Sequence, residues 1–359
     1  MSTEPATFDA STARRAVRRG LWSVAAFLGA IGLAAIAIAR TDLGALHTDD
    51  LLQRARPLWL LAATAIMSLA FVFMSLRWRA LLPREQRPPV MGLTAIILAG
   101  LLLNYALPGP VGELGAAWFT SRRYGVGTAR ALASGVTARA IGLATAALLG
   151  FTFWFIAPLE LPEGTGRAIG LAVAAIGSGG LALIALTLRP DLWIRLADQV
   201  ARRVNAQGAV GKVVHKLRDG VVSLASAAHQ VLHGGRGPLL EAAGWSLLGH
   251  LTVTSGIAVA VAGLDATVDW LGLVFTYTTT TAGAVVLFAF PGSQLGWDAL
   301  FATLLATAAG LPQADAVAVS VLVRVQQLLY MVVGGVVVLW LVRDLRTGAG
   351  QAEAAKGAE

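Results

Sequence analysis

The sequence contains no cysteine. Disulfides, iron–sulfur clusters and thiolate nucleophiles are therefore excluded. Charge is also scarce, at 13% of 359 residues, where soluble domains carry about 25%. With 56% hydrophobic residues and a mean hydropathy of +0.70, the chain reads as an integral membrane protein. Motifs for catalysis are missing too. Gly112-x-x-Gly115 is too short for a nucleotide fingerprint and follows no strand. His229 and His233 have an i, i+4 spacing but no third ligand, so they read as part of a solvated helix. No catalytic residue, metal or cofactor is expected. The net charge of +8 does not indicate nucleic acid, because the basic residues lie in loops between apolar runs, as positive-inside bias requires.

Those runs divide the chain. Residues 1–19 form a polar cytoplasmic tail, 20–342 a membrane domain, and 343–359 a polar tail expected to be disordered. Full spans are predicted at 20–39, 57–76, 131–157, 167–188, 238–262 and 316–342, the first as a retained anchor. Two further apolar stretches, 90–121 and 270–309, are broken by proline and glycine. The linker 189–237 is the one long polar segment. Trp193, Leu196, Val200 and Val204 recur in it at helical spacing, which predicts a cytosolic amphipathic helix resting on lipid.

The two broken stretches belong to a repeat. Asn104 precedes Pro108-Gly109, Gly112 and Glu113, and a later run carries Arg139. The second copy has Pro291-Gly292, Gly296, Asp298 and Arg324. Gly125 and Gly310 follow the acids at the same interval of 12 residues, and the arginines follow those glycines at 14. Repeat 1 covers 57–157 and repeat 2 covers 238–342. Backbone broken at membrane depth is tolerated where protein or a polar cavity covers it. Each broken stretch is accordingly read as a re-entrant helical hairpin, broken at Pro108, Gly109, Gly112, Pro291, Gly292 and Gly296. With both termini cytoplasmic, 22 of the 28 lysines and arginines fall on the cytoplasmic side. The fold expected is all-α and polytopic, with about six full transmembrane helices and two hairpins in an inverted repeat, a topology in which a central site faces alternate sides.

Arg139 and Arg324 lie near the middle of their runs, where a charge costs about 2.5–3.5 kcal/mol on insertion scales. Two compatible readings stand. Their guanidinium forks bind a phosphate, or they pair with Glu113 and Asp298. The acids themselves suit the N-terminus of a returning half-helix, or a proton or amine site. Asn104 and the Thr278–Thr281 run offer hydrogen bonds to a headgroup or to neighbouring helices.

The segment LLLNYALPGPVGE, then SRRYGVGTARALA and Arg139, resembles the lysylphosphatidylglycerol synthase transmembrane region, also called the flippase-like membrane family. PGSQLGWDA and AAGLPQADAVAVSVLVR resemble its second half. The resemblance covers most of 20–342. It implies a multi-pass protein of the bacterial inner membrane that moves or presents lipids of phospholipid or polyprenyl-phosphate type, with Arg139, Arg324, Glu113, Asp298 and Asn104 at the headgroup. Two positions depart from the family pattern. Ala116 stands where an arginine is usual, and Asp298 where glutamate is usual. No synthetase domain follows residue 342, so aminoacylation by this chain is not expected, and a separate synthetase or glycosyltransferase is the expected partner. The alternative is a membrane-embedded transferase using a polyprenyl-phosphate-linked donor.

Overall fold

The computed structural model describes residues 53–106, 111–157, 189–202, 235–287 and 293–356, with isolated positions between 166 and 229. The predicted span 20–39, most of the span 167–188, about half of the linker 189–237, and the breaks Pro108, Gly109, Pro291 and Gly292 lie outside the described residues. What is described is helical: α1 (Pro57–Ala80), α2 (Val90–Ala106), α3 (Val111–Tyr124), α4 (Thr128–Ile156), α5 (Pro190–Arg202), α6 (Arg236–Gly263), α7 (Trp270–Leu287), α8 (Ser293–Thr307) and α9 (Gln313–Lys356), with a 3-10 turn at Arg84–Gln86. Four are long and apolar enough to cross a membrane: α1, α4, α6 and the Gln313–Leu345 part of α9. They coincide with the predicted spans 57–76, 131–157, 238–262 and 316–342.

Small residues let these helices approach. The buried face of α4 is Ala131, Ala133, Ser134, Thr137, Ala138, Ala140, Gly142, Ala144, Ala146, Ala147 and Gly150. Lipid tails are as apolar as leucine, so helices in a bilayer associate by close packing and interhelical hydrogen bonds. Both devices are present. Trp78 donates its indole N–H to Ser134 at 2.9 Å, and Ser75 and Thr94 share a hydrogen bond at 2.8 Å.

Between the long helices sit two helical hairpins, α2–α3 and α7–α8. Their arms run antiparallel in close contact. Gly92 lies against Tyr124, Gly100 against Gly112 and Ala116, and Leu103 against Gly115. In the second hairpin Gly272 meets Ala308, and Thr276 donates its hydroxyl to the Leu304 carbonyl at 3.1 Å. The arms of the first have 17 and 14 residues, or about 25 and 21 Å, against about 43 Å for α4 at 1.5 Å per residue.

The hairpins open at opposite ends of the bundle. At one end α1 and α3 finish beside α9, where Arg123 pairs with Asp344 and stacks on Trp340. At the other end the Asp269 amide bonds the Ala309 carbonyl, closing α7 onto α8. The Arg56 amide bonds Gly263 there, and Arg54 pairs with Asp315 at 3.0 Å.

Past residue 343, α9 is helical through Lys356, and Asp344 is tied to Arg123. Arg77, one residue beyond the predicted span 57–76 and so counted with the loop arginines, lies within α1, which runs to Ala80. On α5 the apolar residues Trp193, Leu196, Ala197 and Val200 line one groove with Val214 and Val221, in keeping with an amphipathic segment.

Gly272 tests the hairpin packing. A Cβ there would sit 1.9 Å from the Ala308 carbonyl oxygen and 2.9 Å from Ala309 Cα, both backbone atoms that cannot swing away. Gly272→Ala should destabilise the protein by about 1–3 kcal/mol. Gly244→Ala, with nothing within 4 Å of its Cβ, should be neutral or gain up to about 1 kcal/mol. Thermal unfolding of both in detergent checks this; equal melting temperatures would contradict the packing described.

Candidate functional site

The start of α3 is built by side chains reaching across the 107–110 break. Asn104, near the end of α2, accepts the Gly112 amide at 2.8 Å and donates its side-chain amide to Glu113 Oε1 at 3.2 Å. The first turn of α3 thus has one of its free amides capped from the opposite arm. This differs from a bare half-helix N-terminus waiting for phosphate. Gly112 has to be glycine because a Cβ would meet the Gly100 carbonyl at 2.1 Å and the Asn104 side chain at 2.4 Å.

Glu113 in turn pairs with Arg139 Nη1 of α4. The Glu113 side chain keeps 18% exposure and the Arg139 side chain 46%, so this pair is open on the arginine side. The second hairpin repeats the arrangement. Arg324 Nε lies 3.2 Å from both oxygens of Asp298, and Nη2 donates to Oδ1. Nη1 donates to Gln327, and the guanidinium lies 5.6 Å from the Trp297 ring centroid. Here the arginine is the more covered member, at 18% exposure against 27% for Asp298.

The repeat holds at the level of backbone geometry. Arg139 stands 11 residues after Thr128, the first of α4, and Arg324 stands 11 after Gln313, the first of α9. Gly125 and Gly310, three residues before those helix starts, have φ +69° and +73°. A left-handed backbone strongly favours glycine. Each hairpin therefore hands the chain to the next helix through the same turn, and each arginine meets its own hairpin's acid.

The structure brings together Asn104, Glu113 and Arg139 in one group and Asp298 and Arg324 in another. Gly296 lies in α8. Most of the threonine run serves its own helix. Thr278 and Thr280 donate to the Val274 and Thr276 carbonyls at 2.6 and 2.8 Å, whereas the buried Thr279 hydroxyl has no partner and touches Gly150. Sequence reasoning missed Arg77 and His250. Arg77 Nη1 donates to Ser246 of α6 at 3.1 Å, and His250 Nε2 donates to the Gly142 carbonyl at 2.9 Å. The sequence signal for Arg77 was one more arginine in a basic cluster, which positive-inside bias already accounted for. Among the described residues no group of three histidines or acids could hold a metal.

The Asp298–Arg324 pair yields a thermodynamic cycle. Removing one member leaves an uncompensated charge in an apolar setting, which costs about 3 kcal/mol. Asp298→Asn should lower stability by that order, and Asp298→Asn with Arg324→Gln should recover at least half of the loss. The Glu113–Arg139 cycle should couple more weakly, because its arginine is more exposed. Melting temperatures of the single and double variants measure both couplings; strictly additive losses would show that the pairs do not interact.

A family model for the lysylphosphatidylglycerol synthase TM region matches residues 21–335. No curated protein and no solved structure matches the chain. The match takes in all four long helices up to residue 335, both hairpins and both acid–arginine pairs; the chain belongs to the lysylphosphatidylglycerol synthase transmembrane-region family.

Proposed function

We propose that the protein is a lipid translocator of the inner membrane of a bacterium. In this reading six full spans carry two re-entrant hairpins, which enter from opposite faces as an inverted repeat with both chain termini cytoplasmic. The headgroup of a phosphate-bearing lipid enters beside the two acid–arginine pairs, and the acyl chains stay in the bilayer. The observation that carries the reading is the repeated unit of hairpin, left-handed glycine and acid–arginine pair, placed twice with the hairpins opening at opposite ends. Two like units of opposite sense are what alternating access around a central site needs.

The paired charges suit this task. An arginine engaged by a carboxylate stays in place in an apolar setting at a lower cost than a lone cation. It still has donors to share with a phosphate, since a guanidinium carries five. Asn104 and Glu113 would face the same headgroup. A separate synthetase or glycosyltransferase would supply or use the lipid.

Liposomes containing only this protein and a trace of fluorescent phosphatidylglycerol test the reading. The dye exposed to an external quencher should rise from about half to nearly all of the total when flipping is fast. Protein-free liposomes should stay near half. A well-folded preparation that leaves the inner half protected for phosphatidylglycerol and for a polyprenyl phosphate would contradict translocation. Product formed only when a polyprenyl-linked donor is added would favour the transferase reading.

A further inference from the structure

We infer that Arg77 is the anion-binding residue of the central site and selects lipids with a phosphodiester headgroup; this rests on the lipid-handling reading above.

The argument begins with where the side chain goes. Arg77 is three residues from the end of α1, close enough to the bundle end for a snorkelling arginine to reach water. It reaches inward instead. The neighbouring Trp78 contacts α4 at Ser134, whereas the Arg77 guanidinium lies against Gly142. Those α4 positions are 8 residues apart, or about 12 Å along the helix. A Cβ at Gly142 would stand 2.1 Å from Arg77 Nη1 and 2.8 Å from Cζ, so the glycine makes the seat for the guanidinium. Ser246 of α6 accepts from Nη1. His250, one helical turn on, bonds the carbonyl of the same Gly142, and its ring lies tilted at 54° and 5.9 Å from the Tyr277 ring of α7. Side chains or backbone from α1, α4, α6 and the second hairpin thus converge on one group.

Next comes the charge. Glu113 neutralises Arg139, and Asp298 neutralises Arg324. Arg77 has no acid within salt-bridge distance among the described residues, and its charged neighbour is a second cation, Arg139. Its Nε is covered and has no hydrogen-bond partner. A serine hydroxyl is a weak substitute for a carboxylate, and an unpaired buried cation is expensive. The residue as a whole keeps partial exposure. A guanidinium that gives one donor to a serine keeps others for phosphate oxygens. One net positive charge matches one phosphodiester. The chemistry specified is thus a phosphate oxyanion, from a lipid headgroup or from free phosphate.

The test uses the full chain in detergent, with Arg77→Gln, Gly142→Ala and Arg77→Lys. The probes are dioleoylphosphatidylglycerol, dioleoylglycerol, which lacks phosphate, and inorganic phosphate. Native mass spectrometry and melting temperature are the readouts. Phosphatidylglycerol should bind the wild type and raise its melting temperature, and dioleoylglycerol should not. Binding should weaken about tenfold or more in Arg77→Gln and in Gly142→Ala, the scale of one lost charge-assisted hydrogen bond. Arg77→Lys should recover part of it. Without lipid, Arg77→Gln should melt no lower than wild type, because the uncompensated charge is gone. An equal, Arg77-dependent gain from inorganic phosphate would mark free phosphate as the source of the same oxyanion. Undiminished phosphatidylglycerol binding in both Arg77→Gln and Gly142→Ala would overturn the inference. So would a large loss of melting temperature in lipid-free Arg77→Gln with normal binding in Gly142→Ala, which is the mark of a structural arginine. If Arg77→Gln binds normally while the wild type flips lipid, the inference falls and translocation stands. If binding depends on Arg77 in a wild type that does not flip, the reverse holds.

Discussion

Each hairpin in this protein is held by a charge it could not otherwise tolerate. A short helical arm returning into an apolar bundle leaves backbone amides and carbonyls without partners at its tip. The chain meets this with Asn104 across the first break, and with an acid in α3 and in α8 that pairs with the long helix that follows. The arginine needs the acid as much as the acid needs the arginine. Neither Arg139 nor Arg324 is affordable alone in the middle of an apolar helix, and the pairing fixes where the hairpin sits on its helix. The match of 11 residues from helix start to arginine in both copies follows from that coupling. A slip by one residue would turn the guanidinium about 100° away from its carboxylate.

Close packing supports the same geometry. Gly112 and Gly272 let the arms of each hairpin touch backbone to backbone. Alanine and glycine along α4 let the second hairpin lie against it, where Ala146 and Ala147 meet Ala282. Gly142 has a different task, since it opens a seat for a cation. In a chain with 40 glycines composition alone does not tell these cases apart; the neighbour of each missing Cβ does.

The four long helices and the shorter paired arms α2–α3 and α7–α8 were legible in the sequence because apolar run length is a local signal. The acid–glycine–arginine spacing also named the right partners, and the structure joins Glu113 to Arg139 and Asp298 to Arg324 as one of the two readings had it. Two things were not legible. Asn104 was read as a headgroup or packing residue, and its role as a cap across the break depends on how the arms meet in space. Arg77 was counted among the basic loop residues. Its inward reach depends on Gly142 and Ser246, which are 65 and 169 positions away in the chain. Charge statistics at helix ends report which side a loop faces and are silent on which way one side chain turns.

The central claim is that two like hairpin units stand in opposite senses across a membrane. Because the chain has no native cysteine, single cysteines report sidedness without background. Thr128 and Gln313 are exposed and open equivalent helices, one in each copy. With an impermeant thiol reagent on intact and permeabilised cells, Thr128→Cys should label only from the cytoplasm and Gln313→Cys only from outside. Labelling of both from the same side would contradict the account.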